Sequence, residues 1–305
     1  MMRPAAILLD IEGTTTPVDF VTQTLFAYAR SHLKEFLQGH ASQPDVRADL
    51  ETLQREQAAD AARETNPPAW PAKSVAPCAP SDGGALLPET IVNRQRPIPD
   101  LGSQSSTINS SSANREARVP NPAFSPSAEP HNLQSSIPDA VAVYVLWLMD
   151  QDRKSTGLKS LQGKIWEEGY RRGELKGRVY PDVPDAFARW RAAQIVIAIF
   201  SSGSVLAQRL LFAHSDRGDL TPFIQAYFDT TTGPKRAAAS YRRITASLGV
   251  EPGRSLFVSD VSAELDAARA AGMFTLLSVR PGSTRPEWSA HPIVKTFDEI
   301  DPIFS

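Results

Sequence analysis

Residues 5–16, AAILLDIEGTTT, decide the fold. Five apolar residues, Ala5 to Leu9, run without alternation and stop at an acid, Asp10. A continuous apolar run this short reads as a strand covered on both faces, the signature of a parallel sheet. The same pattern returns downstream. Ile195–Phe200 precedes Ser201-Ser202-Gly203-Ser204, and Ser255–Val258 precedes Ser259-Asp260, with Glu264 one helical turn further on. Short strands are also expected at 226–228 and 273–279. Helices are expected between them at about 205–212, 235–248 and 263–271. Upstream, Leu25, Ala29, Leu33, Phe36 and Leu37 fall on one face of a helix over Phe20–Leu37. Ala140–Met149 reads as an apolar helix, and Leu158, Leu161, Ile165 and Trp166 mark an amphipathic helix running towards Lys176. Alternating strand and helix predict an α/β fold: a doubly wound parallel sheet with an inserted helical segment. Ligands of such sheets bind beyond the carboxyl ends of the strands, so the residues after each strand carry the functional information.

Those residues are carboxylates, hydroxyls and one ammonium. Asp10 and Glu12 follow the first strand, Ser201 and Ser202 the second, and Asp260 a third; Lys235 is expected to open the helix after FDTTTGP. Hard carboxylate oxygens from Asp10 and Asp260 suit Mg²⁺, which keeps waters and shares oxygens with a substrate phosphate. A carboxylate beside such an ion can attack phosphorus and split one hard displacement into two. Gly13 permits close approach of the backbone, while Ser201 and Lys235 can bind phosphate oxygens. Each residue has a plainer reading. Asp10 alone suits a turn at a strand end. Ser201 or Ser202 suits the cap of the following helix. Glu264 suits the positive end of a helix dipole.

Taken together, LLDIEGTTTPVDFV, IFSSGSVLAQRLLFAHS, YFDTTTGPKRAAASYRRI and LFVSDVSAELDAARAAGM resemble the haloacid-dehalogenase superfamily of aspartyl-phosphate hydrolases. The further stretch DRKSTGLKSLQGKIWEEGY is similar to the enolase–phosphatase (acireductone synthase) family within it. The resemblance implies a Rossmann-like core of residues 1–17 and 179–305 interrupted by a helical cap, 18–178. It implies that Asp10 and Asp260 bind Mg²⁺ through their side chains and position 12 through its carbonyl. Asp10 would be the nucleophile, and Glu12, where most of the superfamily has Asp, the acid for the leaving oxygen. Ser201, Ser202 and Lys235 would hold the substrate, with Glu264 and Thr14 behind them and Lys154, Lys159 and Gln162 facing it from the cap. The implied reaction enolises and then dephosphorylates 2,3-diketo-5-methylthiopentyl 1-phosphate to the acireductone of methionine salvage. Rival functions are another small-molecule phosphatase of the superfamily and a catalytically impaired binding protein.

Composition removes several classes of partner. Thirty-two basic and thirty-four acidic residues give a net charge of −2, without the basic excess that nucleic acid or anionic membranes attract. The longest apolar runs fall short of the ~18–20 residues that span a bilayer. A single cysteine, Cys78, excludes an internal disulfide framework. The expected protein is a cytoplasmic monomer, with nuclear entry left open. Residues 66–136 stand apart: they hold twelve of the twenty-five prolines and twelve serines, with no periodicity. They read as a disordered insertion, open to tryptic cutting at Arg94, Arg96, Arg115 or Arg118. A neutral insertion, a gene-model artefact and a regulatory phosphorylated tract all fit it.

Overall fold

Strand β1, Ala6–Leu9, is buried along its whole length, and the other strands are arranged about it. In the computed structural model, which describes residues 3–63, 66–71, 136–153, 155–283 and 287–303, the sheet order is β3-β2-β1-β4-β5-β6, every pairing parallel. The strands are β2 (Val196–Phe200), β3 (Ala226–Phe228), β4 (Ser255–Ser259), β5 (Phe274–Ser278) and β6 (Ile293–Val294). Alternate residues of each strand enter opposite layers. Ile7, Leu9, Ile197, Ile199, Leu256 and Val258 share one apolar layer, and Leu8, Ala198, Phe200, Phe257 and Leu277 the other. Each such side chain contributes about 1.5–3 kcal/mol of transfer free energy. The doubly wound parallel sheet expected from the apolar runs is present. Connections leave β1 towards β2 on one side and reach β4 on the other, so the order reverses at β1, where a crevice opens.

Between β1 and β2 the chain forms a π-helix, Phe20–Leu25, then α1 (Phe26–His40), α2 (Pro44–Ala62), α3 (Ser136–Asp150), α4 (Thr156–Arg171) and α5 (Val183–Ala192). The remaining helices are α6 (Val205–Ala213), α7 (Ala238–Leu248), α8 (Ser262–Ala270) and the short α9 (Ile300–Ile303). Helix α4 packs on α1, α2 and also on α6, so it joins the helical layer to the sheet. Gly157 permits the approach of α2, since a Cβ there would lie 2.7 Å from Leu53 Cγ. The same seam carries Lys164 against Asp49, Arg153 against Asp60, and Ser155 against Glu56.

Several expectations shift. The single helix expected from Phe20 divides into π and α segments at Leu25. Helix α2 was not expected: only Val46, Leu50 and Leu53 supply its buried apolar stripe, among many charges. Helix α7 begins at Ala238, so Lys235 lies in a turn before it; the Ser240 hydroxyl and Tyr241 phenol cap the Pro234 and Lys235 carbonyls at 2.8 and 2.7 Å. The opening of the Pro/Ser-rich tract also packs. Trp70 meets Tyr144 edge-on at 5.9 Å, and Gln57 donates to the Pro68 carbonyl at 3.1 Å. The rest of the expected insertion, 72–135, with its four arginines, lies outside the described residues, as does Lys154.

The loop after β1 is held from behind. Ser278 Oγ donates to the Gly13 carbonyl at 2.9 Å, Arg280 Nε to Thr14 at 2.8 Å, and the Tyr180 N–H to Thr15 at 3.0 Å. Arg280 is buried between the rings of Tyr180 and Phe297, at 4.5 and 4.2 Å, and pairs with Asp182 at 2.6 Å. Removing one partner of such a pair leaves an uncompensated buried charge. Arg280→Met is expected to cost about 3–5 kcal/mol in urea unfolding. A midpoint within experimental scatter of wild type would show that Arg280 is dispensable to the loop's anchorage.

Candidate active site

Strand register brings the chemistry together. Leu9 lies opposite both Ile199 and Val258, so Asp10 emerges beside Phe200 on one side and Ser259 on the other. Asp10 is 2% exposed. Its Oδ1 receives the Ile11 N–H at 2.8 Å and the Lys235 ammonium at 2.7 Å, while its Oδ2 receives the Ser259 hydroxyl at 2.9 Å. The same ammonium pairs with Glu264 Oε2 at 2.7 Å. Burial pulls the Lys235 pKa down, but the charges of Asp10 and Glu264 raise it by more, so the net shift is upward and Lys235 stays cationic.

Gly13 turns the chain with φ +65°, a left-handed conformation that suits glycine. A Cβ there would stand 2.2 Å from Asp260 Oδ2, so only glycine lets the loop lie against that carboxylate. Asp260 sits at the open edge of the crevice. Loss of water from the surrounding cleft, followed by the charge of Asp10, pushes its carboxyl from the ordinary 3.8 up to about 7, against the opposing pull of Lys235. Glu264 is raised by the same two causes in the same order. Asp10, Asp260 and Glu264 thus gather around one ammonium, and the charge of Glu12 adds to the rise at Asp260. Such an oxygen-rich, anionic set fits a hard divalent cation. Among the described residues no three His, Cys, Asp or Glu side chains converge into a cage.

A cavity of about 400 Å³ adjoins this cluster. Glu12, Ser201 and Ser202 line it from the sheet side, and Lys159, Gln162 and Trp166 from α4. Lys159 Nζ donates to the Ser202 carbonyl at 3.0 Å and meets Thr230 Oγ1 at 3.4 Å, linking α4 to the loops after β2 and β3. Ser201 is buried and its hydroxyl accepts the Gly203 N–H at 3.1 Å. Neither Ser201 nor Ser202 caps α6; Ser204 does, through the Ala207 N–H at 3.3 Å. Both predicted serines are therefore left for the crevice. Thr14 lies behind it: its carbonyl accepts Arg280, and its hydroxyl is buried with no partner among the described residues. Sequence reading passed over Ser259, whose hydroxyl bridges Asp10 and, at 3.3 Å, Glu264. Its position at the end of β4, beside Asp260, was the available signal.

The fold and site define an α/β protein with a parallel sheet and an aspartate at the end of a central strand, joined through a lysine to a second carboxylate. The chain belongs to the haloacid dehalogenase-like hydrolases, a family whose pattern matches residues 4–272. It is 45% identical over 294 residues to the Enolase-phosphatase E1 of Synechococcus elongatus, covering 96% of each chain. It is 39% identical over 297 residues to that of Sorangium cellulosum, covering 97% of each. Among solved structures it is similar to the UTR4 protein of Saccharomyces cerevisiae, with a TM-score of 0.62 at 26% identity over 97% of this chain and 99% of that one.

The crowded carboxylates give a pH dependence. An acid whose pKa is raised on folding binds its proton more tightly in the native state, so stability is lost as pH rises through the native value. Without metal, the protein should therefore lose thermal stability between about pH 4 and 7, the window set by Asp260. Asp260→Asn should flatten that slope in chelator-treated protein, and added divalent cation should flatten it in wild type. An Asp260→Asn slope equal to that of wild type would place the proton elsewhere.

Proposed function

We propose that this chain is an enolase–phosphatase. It converts 2,3-diketo-5-methylthiopentyl 1-phosphate to the acireductone 1,2-dihydroxy-3-keto-5-methylthiopentene and phosphate, with Mg²⁺ as cofactor. The observation that carries the reading is Asp10, fixed by Lys235 and Ser259 at the mouth of a cavity that Glu12, Ser201 and Ser202 share. In this reading residues 1–17 and 179–305 form the catalytic core and 18–178 the cap, which excludes water over the crevice. A cytoplasmic location suits such an enzyme; the nuclear one left open by the sequence gains no support from bacterial relatives.

Asp10 and Asp260 would hold the ion with the carbonyl of Glu12; Asp260 Oδ2 already lies against the Gly13 turn that Glu12 precedes. When bound, Mg²⁺ would supply Lewis-acid stabilisation of developing oxyanions. The residues do the rest. Enolisation moves a proton from the phosphorylated carbon to the neighbouring carbonyl oxygen and leaves the phosphoester intact. A carboxylate oxygen of Asp10 then forms a bond to phosphorus as the bond to the enol oxygen breaks, and Glu12 gives that oxygen its proton. Lys235, Ser201 and Ser202 hold the phosphoryl oxygens in line. Water, losing a proton to Glu12, then cleaves the aspartyl phosphate and frees Asp10. Uncatalysed hydrolysis of a phosphate monoester is slow enough to need acceleration approaching ~10²¹, which no single contact supplies.

The decisive assay follows enol absorbance and phosphate release separately, with the diketo phosphate and Mg²⁺. Asp10→Asn should abolish phosphate release in a folded protein, because an amide cannot attack phosphorus. Turnover by that variant would sink the aspartyl-phosphate route. Glu12→Gln should slow phosphate release more than enolisation, so that the enol phosphate accumulates. Equal loss of both steps would assign Glu12 to the shared metal site or to the enolising base.

A further inference from the structure

The wall of the cavity opposite Ser201 is a π-helix. In Phe20–Leu25 the Phe26 N–H donates to the Val21 carbonyl, five residues back rather than four. Hydrogen bonds of that span bring residues five apart onto one face. Val21, Thr22, Leu25 and Phe26 accordingly all line the cavity, with Leu148, Met149 and Leu158 beyond them. A π-segment is a rare local departure from the α-helix that continues it, frequent at functional sites, and here it has outside support. Trp166 of α4 supplies it: its indole Nε1 donates to the Leu25 carbonyl at 2.8 Å, and its ring lies 6.2 Å from that of Phe26. The two arginines of the lining, Arg30 and Arg153, are engaged by Asp150 at 2.6 Å and by Asp60 respectively. The cavity therefore joins a polar floor at Glu12, Ser201 and Ser202 to an apolar wall.

We propose that the π-segment, braced by Trp166, is the specificity wall that selects an uncharged apolar tail on the diketo phosphate. The proposal rests on the function given above and adds to it the residues that read the end of the substrate remote from phosphorus. With the phosphate on the sheet side, the distal tail lies along Val21, Leu25, Phe26 and Met149. An apolar pocket discriminates one methylene-sized group by about 10–200-fold. Trp166 acts on the substrate through Leu25 and Phe26 as well as directly, so it is a positioning residue of this wall.

The test compares kcat/KM for 2,3-diketo-5-methylthiopentyl 1-phosphate with that for 2,3-diketopentyl 1-phosphate, which lacks the methylthio group. Wild type should prefer the former by at least about 10-fold. Trp166→Phe keeps an aromatic ring but removes the N–H. It should reduce the preference to about threefold or less, through the KM of the tailed substrate rather than its kcat. Phe26→Ala provides a second variant with little folding risk, since Phe26 is 42% exposed, and should lower the preference in the same way. A wild type that turns over both substrates without preference leaves the enolase–phosphatase reading standing and overturns the wall. So do variants that lose activity on both substrates equally. A wild type that turns over neither overturns the functional reading, and the wall with it.

Discussion

One ammonium group between two carboxylates organises the catalytic end of the molecule. Lys235 lies 2.7 Å from both Asp10 and Glu264, and the three come from the segments that follow β3, β1 and β4. Their side chains are almost fully enclosed, so each has lost most of its hydration. In such surroundings Coulomb attraction does little more than repay desolvation, and apolar replacements are often as stable or more so. The cluster is thus poor as a source of stability. What it achieves is placement, holding Asp10 oriented where the sheet order reverses. The cost is met by the apolar layers on both faces of β1, which bury Ile7, Leu8 and Leu9 almost completely.

The cluster works only if the loop carrying Glu12 and Gly13 stays still while charge moves in front of it. Its front is crowded with carboxylates, so the restraint has to come from behind. Three successive carbonyls, of Gly13, Thr14 and Thr15, accept bonds from Ser278, Arg280 and Tyr180. These donors use the carbonyl oxygens that point away from the crevice and leave the carboxylates to the substrate. Arg280 suits the task because its planar fork bonds Thr14, Asp182 and Lys295 at once while two aromatic rings cover its faces.

Legibility followed the physics of each signal. The parallel sheet was readable because strands buried on both faces leave uninterrupted apolar runs, as in AAILL and IVIAIF. The candidate site was readable because register forces strand-end neighbours together: Asp10 beside Ser259, with Ser201 one step along. Lys235, expected to open a helix, lies in the turn before α7, because nothing local reveals that Ser240 and Tyr241 cap that turn. The capping role considered for Ser201 or Ser202 belongs to Ser204, three hydroxyls being too closely spaced for propensity to choose among them. Helix α2 escaped notice because its buried stripe is thin and much of its anchoring is ionic, through Asp49 and Asp60. Trp70 was lost among prolines; its partner Tyr144 lies 74 residues away, beyond the reach of any periodicity.

The apolar wall and the ionic floor make opposite demands on one cavity. On the proposed reading, carboxylates that bind a cation and attack phosphorus would need nearby dipoles and charge, whereas an enol intermediate would survive best where water is scarce. The chain separates the two by element. Polar groups come from loops that follow parallel strands, where backbone amides and side-chain ions converge. Apolar groups come from helices inserted after β1, where packing alone sets their position. Helix α4 spans the divide. Lys159, near its start, reaches the Ser202 carbonyl, and Trp166, two turns on, holds the π-segment. A change in the lean of α4 would therefore move the polar contact and the apolar wall together.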